Sequence, residues 1–199
     1  MPAEPTEQLA IVLDAMERVI TGIGDDQWAD PTPCAEWSVG DVVNHVVGGN
    51  LRFAQAIAGE ETAVPDPAQD ADANPVGAFH ASATAVLEAF RTPGALEKVV
   101  TVPFGTVPGI VALHLRLTEI LVHGWDLARA TGQDAQFPEE VAEQELRFSQ
   151  AKVGEVPPGR KPFGPPQPVP NDAAAIDRLA ACLGRSVGWS PTSVVPASP

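Results

Sequence analysis

The sequence predicts an all-α protein, an up-and-down four-helix bundle with short C-terminal helical additions. Three observations carry this expectation. The 21 prolines and 17 glycines gather in the segments 22–37, 59–77, 92–109, 154–170 and 184–199. Between these segments, apolar residues recur at three- and four-residue steps, the period of an amphipathic helix. Strand-like stretches are almost absent.

Each element follows from local signals. A first helix is expected over about 5–21, where Leu9, Val12, Leu13, Met16 and Ile20 form a stripe and Gly22 and Gly24 end it. The second spans about 38–58: Ser38 is a good N-cap, Asp41 stands three residues on, and Val42, Val43, Val46 and Leu51 continue the face. The acidic stretch 59–74, with Pro65 and Pro67, reads as a surface loop. The third helix spans about 76–91 and stops at Pro93. Lys98 to Val102 is β-branched enough for an edge strand or plain extended chain. The fourth helix is expected over about 107–130, with Pro108 in its first turn and Gly132 past its end. A fifth covers about 138–152, with Glu139 and Glu140 in the first turn, where the helix dipole favours them. Residues 156–170 hold seven prolines, and Asn171 or Asp172 would cap a final helix over about 171–183. The tail from 190 should fray. The expected organisation is a bundle over 1–153, with the Pro-rich loop, final helix and tail of 154–199 packed on the same domain.

Composition limits the function classes. A chain of 199 residues buries a core without staples, and its 44% hydrophobic content argues against disorder. The formal net charge is −14, which disfavours nucleic acid and anionic membrane surfaces as partners. The excess is uneven: residues 1–98 carry 16 acidic and 4 basic side chains, residues 99–199 carry 10 and 8. The nearly balanced second half is the better place for an anionic ligand. Two cysteines make no disulfide scaffold. No run of eighteen apolar residues reads as a membrane span, and Met1-Pro2-Ala3-Glu4-Pro5 does not read as a signal peptide. A soluble cytoplasmic protein is expected.

The titratable residues then narrow the chemistry. His114 and His123 are nine positions apart on the fourth helix, about 180° around it, and cannot share a site. Glu119 and His123 are four apart and sit on one face. Arg116, seven before His123, falls within about 20° of the same line. An inward Glu-x-x-x-His pair can ligate one divalent ion, and one further ligand would leave an open coordination position. His45, amid Val42, Val43, Val46 and Val47, is the candidate third ligand. Plainer readings stand beside these. A lone Glu/His pair is usually a surface ion pair, and His45 alone is more often a satisfied core histidine. Arg116 meets an anionic substrate, supports Glu119, or is simply solvated. Asp126 orients an imidazole or serves the exterior of the helix. Cys34, near a helix N-terminus, has either a lowered pKa or a packing role under Trp37. Gly48 and Gly49 permit close helix approach or leave room for a ligand. His80 has no assigned role, and His114 is structural.

Two segments resemble a known family. Pro31 through Gly49, with Pro33-Cys34-Ala35-Glu36-Trp37-Ser38 and Asn44-His45, resembles its second-helix signature. Arg116 through Gly132, with Glu119-Ile120-Leu121-Val122-His123-Gly124-Trp125-Asp126, resembles its fourth. The late Asp177–Arg185 stretch is similar too. Together they look like the DinB-like superfamily, in the actinobacterial branch related to the N-terminal domain of mycothiol-dependent maleylpyruvate isomerase. The resemblance implies a bundle with a divalent metal held by His45, Glu119 and His123, zinc first, with nickel or iron as alternatives. It also implies a low-molecular-weight thiol, mycothiol or a similar one, as cosubstrate and a small electrophile as substrate. The isomerase carries a further α/β domain, whereas residues 154–199 are expected to form only a Pro-rich loop, one helix and a tail, so the isomerase substrate is not expected to follow from the resemblance. The expected function is a thiol S-transferase or isomerase, with Arg116 as substrate contact or support for Glu119. A metal-assisted hydrolase and a non-catalytic metal-binding stress module are the alternatives, and a homodimer is allowed.

Overall fold

The computed structural model describes residues 3–35, 37–60, 74–102, 105–134, 136–153 and 163–191. Most of the expected 59–74 loop, residues 154–162 of the Pro-rich segment and the tail from 192 lie outside these residues.

Four long helices form a bundle around one apolar core. Helix α1 (Pro5–Thr21) opens on a proline whose missing N–H would have had no intrahelical partner. It buries Leu9, Val12, Leu13, Met16 and Ile20. Helix α2 (Val39–Ala58) starts at a complete capping box. The Asp41 N–H donates to Ser38 Oγ at 3.2 Å, and the Ser38 N–H donates back to Asp41 Oδ2 at 2.9 Å. Helix α3 (Pro75–Arg91) is capped by Asn74, whose side-chain oxygen accepts from the Gly77 N–H at 3.0 Å. Helix α4 (Gly109–Thr131) is buried on nearly every face and ends at Gly132, left-handed at φ 70°.

Packing sets the order around the bundle. Both α1 and α2 pack on α3 and on α4. Sequence neighbours α1 and α2 therefore stand at opposite corners, and residues 22–38 must cross one end of the bundle. This crossing brings α2 beside α4 and carries Cys34 and Trp37 to the end where the two helices meet.

The α3–α4 connection differs from expectation. Strand β1 (Val99–Val102) does not stand alone: it pairs antiparallel with β2 (Gly105–Pro108), Val99 opposite Pro108 and Val102 opposite Gly105. Val100 and Val102 are buried while Val99 and Thr101 face water. The β2 segment takes residues that helical periodicity assigned to the fourth helix from about 107. Pro108 is extended (φ −59°, ψ 148°), and the Gly109 N–H donates to the Lys98 carbonyl at 2.7 Å, so hairpin pairing continues to the first helical residue.

Helices α5 (Glu139–Val153) and α6 (Ala175–Cys182) complete the fold; α5 packs on α4 and α6, and α6 also reaches α4. Neither Asn171 nor Asp172 caps α6. Its N-cap position is Ala174, which has no capping side chain; the Ala175 N–H instead donates to Glu139 Oε1 of α5 at 2.9 Å. A cap borrowed from another helix leaves no local signal, which is why the sequence places the start too early. Among the described residues, no helix is long and apolar enough to cross a membrane.

The Ser38 box makes the start of α2 testable. Ser38→Ala should cost about 1 kcal/mol in urea unfolding. The hydrogen bonds from Ser38 hold the Asp41 carboxyl below its ordinary 3.8. A depressed carboxyl stabilises the fold fully above its unfolded pKa and less as pH falls through its folded one. The difference between wild type and Ser38→Ala should therefore shrink below about pH 4.

Candidate metal centre

One stripe of α4 turns inward against α2 and carries most of the polar groups at this end. Arg116, Glu119, His123 and Asp126 follow at steps of three, four and three, and all four are buried. His45, on the second turn of α2, is half-buried and faces them. One ligand atom each from His45, Glu119 and His123 lies within 4.8 Å of the others. The structure thus brings together the three residues singled out from the sequence.

The electrostatics keep Glu119 and His45 ready to ligate. Burial pushes the Glu119 carboxyl upward, but His45, Arg116 and His123 outweigh it and hold its pKa at about 2. Glu119 is therefore ionised at neutral pH. Burial lowers the pKa of His45, against the pull of Glu119, so its imidazole is neutral. His45 Nε2 stands 3.8 Å from Glu119 Oε1, too far for a hydrogen bond. Two ligands of one tetrahedral zinc lie about 3.3 Å apart, a small adjustment from this spacing. His123 Nδ1 is 3.0 Å from Asp126 Oδ2. Metal binding needs a neutral imidazole and an ionised carboxylate, and the donor set offers both.

Arg116 lies beneath this cluster. It is fully buried; Nη1 donates to Glu119 Oε2 at 3.1 Å and Nη2 to the Val46 carbonyl at 3.4 Å. Burial lowers its pKa to about 10 against the pull of Glu119, which leaves it charged at neutral pH. Of the roles open from sequence, the geometry matches support of Glu119 rather than a surface for substrate. Gly49 makes the arrangement sterically possible: a Cβ there would fall 2.1 Å from Arg116 Nη1. Its missing side chain accommodates a guanidinium of the protein itself.

Other polar residues of the helices form separate pairs. His114 points away from the cluster, to Glu145 Oε1 of α5 at 2.7 Å, and stacks on Phe148. His80 meets Glu17 at the surface. Cys34 does not have the lowered pKa of a reactive thiol at a helix N-terminus. Burial raises it, against the pull of Arg185. Its sulfur forms a second close triplet with His123 and Asp126, without joining the first. A cavity of about 420 Å³ lies beside the start of α2, lined by Trp28, Ser38, Asp41 and Asn44 among others, and none of the triplet residues lines it.

Sequence reasoning missed two contributors. Trp37 walls the cluster, its ring 4.6 Å from that of His45 and stacked 5.8 Å from that of His123. Arg185 grips Asp126 from the far end of the chain. Neither shares a helix with the residue it touches, so periodicity could not connect them.

Fold and cluster together define a helical bundle with a His–Glu–His triplet between two of its helices. The chain belongs to the family described as the mycothiol maleylpyruvate isomerase N-terminal domain, which matches residues 9–128. Two uncharacterized proteins of Mycobacterium tuberculosis, from different strains, are each 39% identical over 178 residues, covering 87% of this chain and 93% of theirs. The crystal structure of mycothiol-dependent maleylpyruvate isomerase aligns with a TM-score of 0.58 at 21% identity, covering 76% of this chain and 70% of that one. A histidine-to-alanine mutant of that enzyme aligns with 0.59 at 20% and the same coverage. These structural likenesses show a shared fold.

The buried Arg116–Glu119 pair gives a direct stability test. Arg116→Met should cost about 3–5 kcal/mol at pH 7 in chemical denaturation, because it leaves a buried carboxylate unpaired. Glu119 titrates lower in the fold than in the unfolded chain. Its contribution is present above its ordinary 4.5 and fades as pH falls toward about 2. The difference between wild type and Arg116→Met should therefore narrow over that range.

Proposed function

We propose that this protein is a metal-dependent enzyme that uses a low-molecular-weight thiol, mycothiol or a close relative, to attack a small electrophile, and works as an S-transferase or isomerase. The observation that carries the reading is the close triplet of His45, Glu119 and His123, in a chain whose family is named for a mycothiol isomerase domain. His45, Glu119 and His123 would hold the ion, zinc before nickel or iron, as two imidazoles and one carboxylate. When bound, the cation would favour thiolate over thiol at neutral pH.

The chain's own residues supply the rest. Arg116 neutralises Glu119, and Arg185 neutralises Asp126, so the protein around the triplet is close to charge-balanced. A divalent ion would then leave the site positive and receptive to an anionic sulfur. The side chain of His45 is 28% exposed, against 4% for His123, so solutes would approach from the α2 side. Trp37 covers the imidazoles and narrows that approach. In this reading residues 1–153 carry the catalytic bundle, and the described part of 154–199, residues 163–191, packs on it as an extension within one cytoplasmic domain.

Metal analysis after zinc reconstitution and desalting tests the centre. Wild type should hold about one ion per chain, and His45→Ala, Glu119→Ala and His123→Ala should each lose at least about tenfold in affinity. A wild type that takes up no metal would end the reading. Screening electrophiles with and without thiol tests the chemistry. Turnover should require thiol; turnover with water alone would make the protein a metal-assisted hydrolase instead.

A further inference from the structure

We propose that Arg185, on the C-terminal segment, is a positioning residue for the His45–Glu119–His123 centre, and fixes His123 through Asp126. The inference rests on the metal-centre reading above and assigns a role to a part of the chain beyond the matched residues 9–128.

The contact chain is continuous and buried. Asp126 is wholly buried and Arg185 is 7% exposed. Arg185 Nε donates to Asp126 Oδ1 at 3.2 Å and Nη2 donates to Oδ2 at 2.9 Å, a two-point grip. Asp126 Oδ2 is in turn 3.0 Å from His123 Nδ1. Arginine only donates. Paired with it, Asp126 is a carboxylate and only accepts. His123 Nδ1 must therefore carry the proton, and the Nε2 lone pair is left to face the cluster. Arg185 thus selects the histidine tautomer and, through the carboxylate, the orientation of the ring.

The segment is built to hold this arginine still. Nη1 also donates to the Leu183 carbonyl at 3.1 Å, and the guanidinium lies over the Phe163 ring at 5.7 Å. Gly184 is left-handed at φ 90°, and a Cβ there would fall 2.7 Å from Gly164 Cα, so the backbones of 164 and 184 touch directly. Helix α6 is pinned to α4 one turn away. Asp177 Oδ1 accepts from Trp125 Nε1 at 2.7 Å and from Arg129 Nη2 at 2.8 Å. Trp125, Asp126 and Arg129 are consecutive contact points of α4 for the C-terminal segment. Among the described residues, Arg185 is the cation that hydrogen-bonds Asp126.

The test measures zinc affinity of the full chain by competition with a chromophoric chelator. Arg185→Gln should weaken binding about 10–100-fold, the usual effect of removing an outer partner of a ligating histidine. Arg185→Lys, which keeps the charge and loses the two-point grip, should recover part of the loss and covers the case of an unfolded Arg185→Gln. Arg185→Lys combined with Asp126→Ala should bind no more weakly than Asp126→Ala alone, because the arginine acts through the carboxylate. Cobalt-substituted Arg185→Lys should show shifted visible bands, which a purely structural role would not produce. Wild-type affinity in both Arg185 variants, or losses that add independently of Asp126→Ala, would overturn the inference alone. A wild type that binds no zinc would overturn the metal reading and this inference with it.

Discussion

The end of the bundle depends on a carboxylate kept ionised where water scarcely reaches it. Glu119 is 7% exposed, and burial by itself would favour its protonated form. His45, the fully buried guanidinium of Arg116 three residues earlier on α4, and His123 together reverse that preference. The pair in turn needs the glycine at 49, where any side chain would occupy the guanidinium's place. Helix approach, ion pair and ligand charge are therefore one constraint, met by residues on two helices.

A second pair repeats the pattern about two turns along. Asp126 bonds His123 as Arg116 bonds Glu119's carboxylate, and Asp126 is itself paired with Arg185. The two pairs leave a carboxylate and two imidazoles converging, with one ligand atom of each within 4.8 Å of the others. The crossing segment 22–38 and the C-terminal segment both reach this end of the bundle, one with Trp37 and Cys34, the other with Arg185. Convergence of three separate parts of the chain on one cluster is difficult to explain as packing alone, since apolar side chains would fill the same space without desolvating charges.

What the sequence showed and did not show divides along one line. Interactions within a helix were legible: the stripe Arg116–Glu119–His123, the Ser38 cap, and the Gly132 stop all follow from a 3.6-residue period and local capping chemistry. His45 was legible as a polar residue among valines and so as the candidate third ligand, and the resemblance to a signature chose the same residue. Interactions between distant segments were not legible. The last two residues of β2, Val107 and Pro108, read as helix in the sequence because the partner β1 decides their state. The start of α6 was misplaced because its cap belongs to Glu139. The Cys34 thiol lies near a helix N-terminus but is governed by burial. Arg185 is 59 residues from the carboxylate that it grips. In each case a tertiary contact overrides or supplies what the local sequence lacks.

In the proposed centre His45, Glu119 and His123 hold one divalent ion and leave coordination open for a sulfur. Anomalous diffraction from zinc-loaded crystals tests it most directly. One strong peak should lie bonded to these three side chains at about 2.0–2.2 Å, with remaining positions taken by solvent or added thiol. A peak placed instead among Cys34, His123 and Asp126, or a fourth protein ligand closing the ion, would contradict it.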